Sequence, residues 1–250
     1  MGREQRTPYL PTRRGFLHSA VGVGTGITAA SFAGLFGIGT PAEAARKPAQ
    51  DVGSIINLAA TAETLAVTFY YTSITGATFH IDAPAVEYLK LAMDAEMHHL
   101  QILESLGGTA LEQQFYMPDR LLSDASVFVN TGLMLEAALT GAYLAATHQL
   151  ALLGQPLLAA TVAQHAASEA QHSTLLRHLA GLPPNDLTLP AVTSYQMSDA
   201  LPALTPFLSG RIGFSGPVPF PSARKYQAAL GDTRAERVPA FVQAVGASRS

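Results

Sequence analysis

Four segments of the chain have the length and the apolar content of helices in one bundle. In the first, apolar residues recur on one face of a helix and a row of threonines lies on the opposite face. The apolar residues are Ile56, Ala59, Ala60, Ala66, Val67, Tyr70 and Ile74, and the threonines are Thr61, Thr64, Thr68, Thr72 and Thr75. An apolar stripe of this kind normally faces the core. The pattern predicts a first helix from about residue 52 to about residue 78.

Capping signals mark the ends of the other three helices. Aspartate is favoured just before a helix, proline in its first turn and glycine just after its end. The second helix is predicted to run from Asp82 and Pro84 to Gly107-Gly108, the third from Asp124 to Leu153-Gly154, and the fourth from Pro156 to Gly181. The pattern predicts an all-α four-helix bundle with short first and third connections and one longer middle crossover.

The character of the chain changes after the fourth helix. Eight prolines lie between Pro183 and Pro221. Proline lacks a backbone N–H and its ring interrupts a helix, so this segment cannot be a continuous helix or a central strand. We expect a Pro-rich C-terminal extension over residues 183–250 that wraps the bundle or reaches a neighbouring subunit. Short helices are predicted near residues 223–230 and 239–245.

Residues 1–44 have the features of an export signal. Arg13-Arg14 followed by Gly15-Phe16-Leu17 resembles the twin-arginine signature, and Ala42-Glu43-Ala44 has the form of a cleavage site. We predict export by the twin-arginine route to the periplasm or the cell exterior. The alternatives are an ordinary secretory signal and an uncleaved anchor. The predicted organisation is an export signal at 1–44, a bundle at 45–182 and the extension at 183–250.

Composition narrows the classes of partner. Only 13% of the residues are charged, which suggests that some outer faces are buried in a homo-oligomer. There is no basic patch of the kind that binds nucleic acid. The chain has no cysteine, which excludes disulfides and cysteine nucleophiles. The apolar run at 125–146 contains Asn130 and Glu136, so we expect no stable membrane span after signal cleavage.

One motif occurs twice: a glutamate, followed thirty-three residues later by Glu-x-x-His. The copies are Glu63, Glu96 and His99, and Glu136, Glu169 and His172. The spacing is 96 − 63 = 33 in the first copy and 169 − 136 = 33 in the second, and the copies are offset by 136 − 63 = 73. Tyr70 and Tyr143 keep the same offset. The repeat indicates two helical hairpins built on one plan.

The motif has the chemistry of a metal site. Residues three apart share a helix face, so each Glu-x-x-His directs both side chains to one point. Glu63 is the only charged residue from Val52 to Ile81, and it lies within the apolar stripe. The alternative, a solvated surface charge, does not fit that position. Carboxylate and imidazole together suit iron, manganese or zinc. Six such groups converging from four helices could hold two metal ions.

Three further residues are candidates for supporting roles. Tyr70 and Tyr143 lie about two turns from their glutamates on the same face. They could hydrogen-bond a ligand glutamate or relay an electron, and the alternative is a core tyrosine whose hydroxyl is satisfied. His165 lies four residues before Glu169 and shares its face. We interpret it as a core histidine, the alternative being a donor behind the ligands.

With the repeat in view, residues 52–181 resemble the ferritin-like superfamily, and more narrowly the exported ferritin-like proteins that include desiccation-related proteins. The resemblance implies an all-α ferritin-like four-helix bundle and two iron or manganese ions per chain. It also implies chemistry with O2, peroxide or Fe(II). The Pro-rich extension departs from the cage-forming ferritins, which makes a closed storage cage doubtful.

The resemblance leaves two functions open, because fold alone does not decide function. The first is a di-metal oxidoreductase, ferroxidase-like or catalase-like. The second is a non-catalytic stress or desiccation-related protein in which metal only stabilises the bundle. Whether the chain is an enzyme is therefore undecided at this point. Metal identity is open as well, because four glutamates and two histidines accept iron and manganese alike.

Overall fold

Four long helices lie within the residues that the computed structural model describes, 50–185 and 187–247. They are α1 (Val52–Gly76), α2 (Ala83–Ser105), α3 (Ala125–Leu152) and α4 (Pro156–Leu179). The all-α prediction is confirmed, with short α1–α2 and α3–α4 connections and a longer middle crossover. The predicted export signal lies outside the described residues.

The helix ends follow from the capping chemistry read in the sequence. The Asp82 carboxylate accepts a hydrogen bond from the Ala85 backbone N–H, and Asp124 accepts from Ser126 and Val127. These bonds satisfy backbone donors that have no partner within the helix. α1 ends at Gly76, two residues before the predicted end, where the chain turns into an extended conformation at Ala77.

The helices pack as two hairpins. α1 lies along α2 and α3 lies along α4, and the hairpins meet through α1–α3 and α2–α4 contacts. By length and composition alone, α1 and α3 could each cross a membrane. Their most apolar windows are 72% and 67% buried inside the protein, which favours their interpretation as core helices.

The crossover contains a strand that the sequence analysis did not predict. β1 (Gln114–Pro118) pairs antiparallel with β2 (Phe214–Pro219) of the extension. Phe115 and Met117 alternate toward the core, whereas their neighbours are exposed or half-buried. The ribbon therefore fastens the middle of the chain to its C-terminal part.

The C-terminal extension packs along the bundle of its own chain. It forms a 3₁₀ helix (Met197–Ala200) and three short α-helices, of which the first was not predicted: α5 (Leu201–Ser209), α6 (Ala223–Leu230) and α7 (Phe241–Ala247). The 3₁₀ helix contacts α1 and α3, α6 contacts α1 and α2, and α7 contacts α4. Pro202 lies in the first turn of α5, where proline is tolerated, and Pro206 lies inside that nine-residue helix.

This covering changes the environment of the threonine row on α1. Thr61, Thr64 and Thr68 are buried, although they lie opposite the apolar stripe. Each hydroxyl donates to the backbone carbonyl four residues earlier, so burial leaves no unpaired donor there. Thr61 also lies beside Met197 and Leu204 of the extension.

Asp94 of α2 anchors the extension, and the sequence analysis did not single it out. Its buried carboxylate accepts hydrogen bonds from Tyr226 Oη at 2.5 Å, from the Ala235 N–H at 2.8 Å and from Arg237 Nη2 at 2.9 Å. Burial raises the pKa of Asp94, but the bonds from Arg237 and Tyr226 bring it below its ordinary value. Asp94 thus holds residues 235–240 beside the bundle.

Candidate metal centre

All six predicted ligand residues meet in the middle of the bundle. α1 and α3 each provide one glutamate, and α2 and α4 each provide a Glu-x-x-His pair. The four glutamates are at most 1% exposed, and the two histidines are 8% and 7% exposed. They are Glu63, Glu96, His99, Glu136, Glu169 and His172. All six side chains therefore lie on the inward faces of their helices, as predicted.

The six residues form two overlapping groups. In each group one oxygen or nitrogen from every residue lies within 4.8 Å of the others. Glu96 and Glu169 belong to both groups. The first group is Glu63, Glu96, His99 and Glu169, and the second is Glu96, Glu136, Glu169 and His172. Each group could hold a metal ion, and Glu96 and Glu169 would contribute to both.

The first group is centred on His99. Its Nδ1 lies 3.1 Å from Glu96 Oε2, 3.3 Å from Glu169 Oε1 and 3.6 Å from Glu63 Oε1. The contact with Glu96 is made within α2, whereas the other two carboxylates come from α4 and α1. His99 therefore faces three carboxylates from three helices.

The second group repeats these contacts around His172. Its Nδ1 lies 3.2 Å from Glu169 Oε2, 2.7 Å from Glu96 Oε1 and 3.8 Å from Glu136 Oε2. The partners are those of His99 with the two repeats exchanged. The sequence repeat thus becomes an approximate two-fold relation within the site.

The two predicted tyrosines link the repeats. Tyr70 Oη donates a hydrogen bond to Glu136, and Tyr143 Oη donates one to Glu63. Each tyrosine therefore holds the glutamate of the other repeat. Burial raises the pKa of both phenols, and the neighbouring carboxylate charges raise it further, so both remain protonated donors.

The carboxylate oxygens left without hydrogen bonds fit a bound cation. Among the described residues, each of the four glutamates has one buried oxygen without a well-aligned hydrogen bond: Glu63 Oε2, Glu96 Oε1, Glu136 Oε2 and Glu169 Oε1. Glu96 Oε1 and Glu169 Oε1 still lie 2.7 Å and 3.3 Å from a histidine Nδ1, so Glu63 Oε2 and Glu136 Oε2 are the less satisfied pair. Buried polar atoms are normally paired, and an unpaired carboxylate oxygen is costly. Four ionised carboxylates also carry the charge that two divalent cations neutralise. Oxygen and imidazole nitrogen donors suit iron, manganese and zinc.

Without a metal the carboxylates divide into two kinds. Burial and the Glu169 charge raise the pKa of Glu96 to about 8, and burial and the Glu96 charge raise that of Glu136 well above its ordinary value. Burial and the Glu169 charge also raise the pKa of Glu63, but the His99 charge together with the contacts to His165 and His99 lowers it to about 2. Burial likewise raises the pKa of Glu169, and its contacts with the histidines lower it more.

His99 and His172 also have raised pKa values in the metal-free cluster. Burial lowers the pKa of His99 and His172, but the adjacent carboxylates raise both well above the ordinary value. The raised pKa values favour protons on both imidazoles and on Glu96 and Glu136 in the metal-free cluster. A metal ion must displace these protons, because it binds the deprotonated ligands.

His165 also lies at the cluster. It is 2% exposed, as expected for a core histidine, and its Nδ1 lies 3.5 Å from Glu63 Oε1. The sequence analysis left open whether it supports the ligands. The only signal available was its spacing of four residues before Glu169.

A cavity connects the cluster with the protein surface. It has a volume of about 620 Å³ and is lined by residues of α2 and α4 and by residues 235–240 of the extension. His99, His165 and His172 lie in its wall. The cavity is large enough to admit water or a small oxidant to the histidine side of the cluster.

A family model described as a ferritin-like domain matches residues 51–182 of the chain. The matched range contains α1 to α4 and all six residues of the two groups. No curated protein matches the chain, and no solved structure does.

Proposed function

Because the chain belongs to the ferritin-like domain family, we propose that it is a di-metal carboxylate oxidoreductase that acts on O2 or peroxide. The observation that carries the proposal is the pair of four-residue groups sharing Glu96 and Glu169. Two shared carboxylates suit two ions rather than one. Iron or manganese bound there would supply the change of oxidation state that such a reaction needs.

The residues around the cluster have distinct roles in this proposal. Glu63 and Glu136 each serve one position, and Tyr143 and Tyr70 fix their orientation by hydrogen bonds. The fixed orientation limits rearrangement when the site is loaded. The apolar interior of the bundle excludes bulk water, and the cavity admits the oxidant on the side of His99 and His172.

The alternative is a structural role for the metal. The six residues come from all four long helices, so bound ions would tie both hairpins together whether or not they react. The cavity is the observation that favours reactivity, because a purely structural site is usually closed to solvent and substrate.

A turnover assay separates these two functions. We expect the protein loaded with iron or manganese to consume hydrogen peroxide, or to oxidise Fe(II) with O2, through many cycles per chain. The rate should exceed that of the free ion at the same concentration. The control is Glu104→Ala, which changes an exposed glutamate of α2 outside the cluster. A chain that binds two ions but shows no turnover would favour the structural alternative.

We further propose that the chain is exported by the twin-arginine route. The support is the sequence of residues 1–44, above all Arg13-Arg14. Replacing both with lysine should retain most of the protein in the cytoplasm, as measured by cell fractionation. The matched control replaces Arg3 and Arg6 with lysine and should leave export unchanged. Equal export of both variants would favour an ordinary secretory signal.

A further inference from the structure

His165 faces the first group of ligands from α4. Its Nδ1 lies 3.5 Å from Glu63 Oε1, and His99 Nδ1 lies 3.6 Å from the same oxygen. The imidazole rings of His165 and His99 are stacked, with centroids 4.4 Å apart and planes 20° apart. Glu63, His99 and His165 also form a three-residue group whose donor atoms lie within 4.8 Å of one another. His165 Nδ1 therefore lies beside the Glu63 oxygen that also faces His99.

The ring nitrogens of His165 are poorly satisfied. Both are buried and neither has a well-aligned hydrogen bond with a described residue; the nearest acceptor to Nδ1 is Glu63 Oε1 at 3.5 Å. A buried polar group without a partner is uncommon and indicates a strained contact, an unseen water or a bound ion. The Tyr143 ring contacts His165 edge-on, with centroids 5.1 Å apart, and restrains its orientation.

The other half of the repeat has no such histidine. The position equivalent to His165 is 165 − 73 = 92, which is Ala92 on α2. Ala92 is buried and offers no donor. The approximate two-fold relation that holds for the six predicted ligands and the two tyrosines therefore does not extend to His165.

We infer that His165 is a third histidine ligand, that it binds the ion held by Glu63 and His99, and that it makes the two metal positions unequal. This inference rests on the proposed di-metal function and deepens it. Joining the group of Glu63, His99 and His165 to that of Glu63, Glu96, His99 and Glu169 gives one position five candidate donor side chains. The other has four, which are Glu96, Glu136, Glu169 and His172. The first position should therefore bind a divalent ion more tightly, and the second should keep the more open coordination.

Paramagnetic NMR of the Co(II)-loaded protein tests the inference. With ¹⁵N-labelled histidine and saturating Co(II), a coordinated imidazole gives strongly shifted nitrogen signals. We expect three such histidines in the wild-type chain and two in His165→Leu, which removes the nitrogens but keeps much of the volume. In a titration, His165→Leu should lower the affinity for one of the two Co(II) ions by roughly tenfold or more. The affinity for the other ion should change far less.

Two further variants address folding and specificity. His165→Ala should fold, because the equivalent position of the first repeat is already alanine, and added ¹⁵N-labelled imidazole should give a third shifted signal. His98→Ala removes a histidine from the wall of the same cavity and should keep three coordinated histidines.

The possible outcomes distinguish the two proposals. Two bound Co(II) ions with only two shifted histidines in the wild-type chain would overturn the role of His165 and leave the di-metal function standing. Equal weakening of both ions in His165→Leu would also overturn it, because a ligand to one ion acts mainly there. A wild-type chain that binds no Co(II) would refute the di-metal function and this inference together.

Discussion

Replacing Glu96 with alanine should remove most of the metal from both positions, and replacing Glu169 should do so to a similar degree. Each carboxylate belongs to both four-residue groups, so either substitution removes a ligand from each ion. The loss of an outer hydrogen-bond partner alone costs roughly 10–100-fold in metal affinity, so the loss of a shared ligand should cost at least about 100-fold. Elemental analysis after equilibrium dialysis against Fe(II) or Mn(II) provides the measurement.

Variants of Glu63 and Glu136 should behave differently. Each of these residues belongs to only one of the two four-residue groups. Its replacement by alanine should therefore lower the affinity for one ion and leave the other ion bound. Shared ligation predicts that the Glu96 and Glu169 variants lose both ions, whereas the Glu63 and Glu136 variants lose only one.

The controls are two exposed glutamates of the same helix. Glu87 pairs with Lys90 at 2.8 Å and Glu104 is exposed near the end of α2, so neither points at the cluster. Glu87→Ala and Glu104→Ala should retain the wild-type metal content. If Glu87→Ala costs as much metal as Glu96→Ala, the helical phase is wrong, and the assignment of all six ligands fails with it.

Removing the metal should lower the melting temperature of the protein substantially. A ligand at about 1,000 times its Kd stabilises a fold by about 4 kcal/mol. In a chain of this size that corresponds to roughly 8–16 °C in Tm. Chelation followed by differential scanning calorimetry near pH 7.5 measures the shift, and restoring Mn(II) or Fe(II) should reverse it.

The difference in Tm between the metal-bound and the metal-free protein should grow as the pH rises. The pKa of Glu96 is raised from 4.5 to about 8 in the metal-free fold, so its stabilising contribution is fully present below about pH 4.5. That contribution is lost as the pH rises through about 8, and Glu136 acts in the same direction. The metal-free fold therefore weakens between pH 5 and pH 8.

Metal binding strengthens over the same interval, because fewer protons compete for the ligands. The difference in Tm between the metal-bound and metal-free protein should therefore widen from pH 5 to pH 8. The lowered pKa of Glu63, about 2, affects stability only at more acidic pH. A chelated protein with an unchanged Tm, or a difference that narrows as the pH rises, would contradict this prediction.

The sequence predicted the helices and the six cluster residues because both depend on local geometry. A Glu-x-x-His pair lies on one face of any α-helix, and the apolar stripe around Glu63 fixes which face points inward. The capping residues Asp82 and Asp124 act within their own first turns. None of these predictions needs knowledge of how the helices are arranged in space.

The sharing of ligands could not be predicted in this way. Which glutamates stand between the histidines depends on the offset and rotation of α2 against α4, which the spacing along either helix does not contain. The same holds for the bonds from Tyr70 to Glu136 and from Tyr143 to Glu63, which join residues of different hairpins. His165 shared a predicted face with Glu169, but its distance from Glu63 follows only from the packing.

The covering of the bundle was also beyond the sequence pattern. β1 pairs with a strand about 100 residues away, and five-residue strands carry too little alternation to identify a distant partner. Asp94 looked like one charge among several on α2, and its burial results from Tyr226 and Arg237 of the extension. Such contacts are set by the path of the Pro-rich segment, for which local propensity gives little guidance.

Shared ligation by Glu96 and Glu169 can be observed in a crystal of the protein loaded with Mn(II) or Fe(II), measured at the absorption edge of the metal. We expect two anomalous peaks per chain, both within bonding distance of Glu96 and of Glu169. One of them should also contact Glu63 and His99, and the other Glu136 and His172. A single peak, or two peaks of which either fails to contact both shared glutamates, would contradict it.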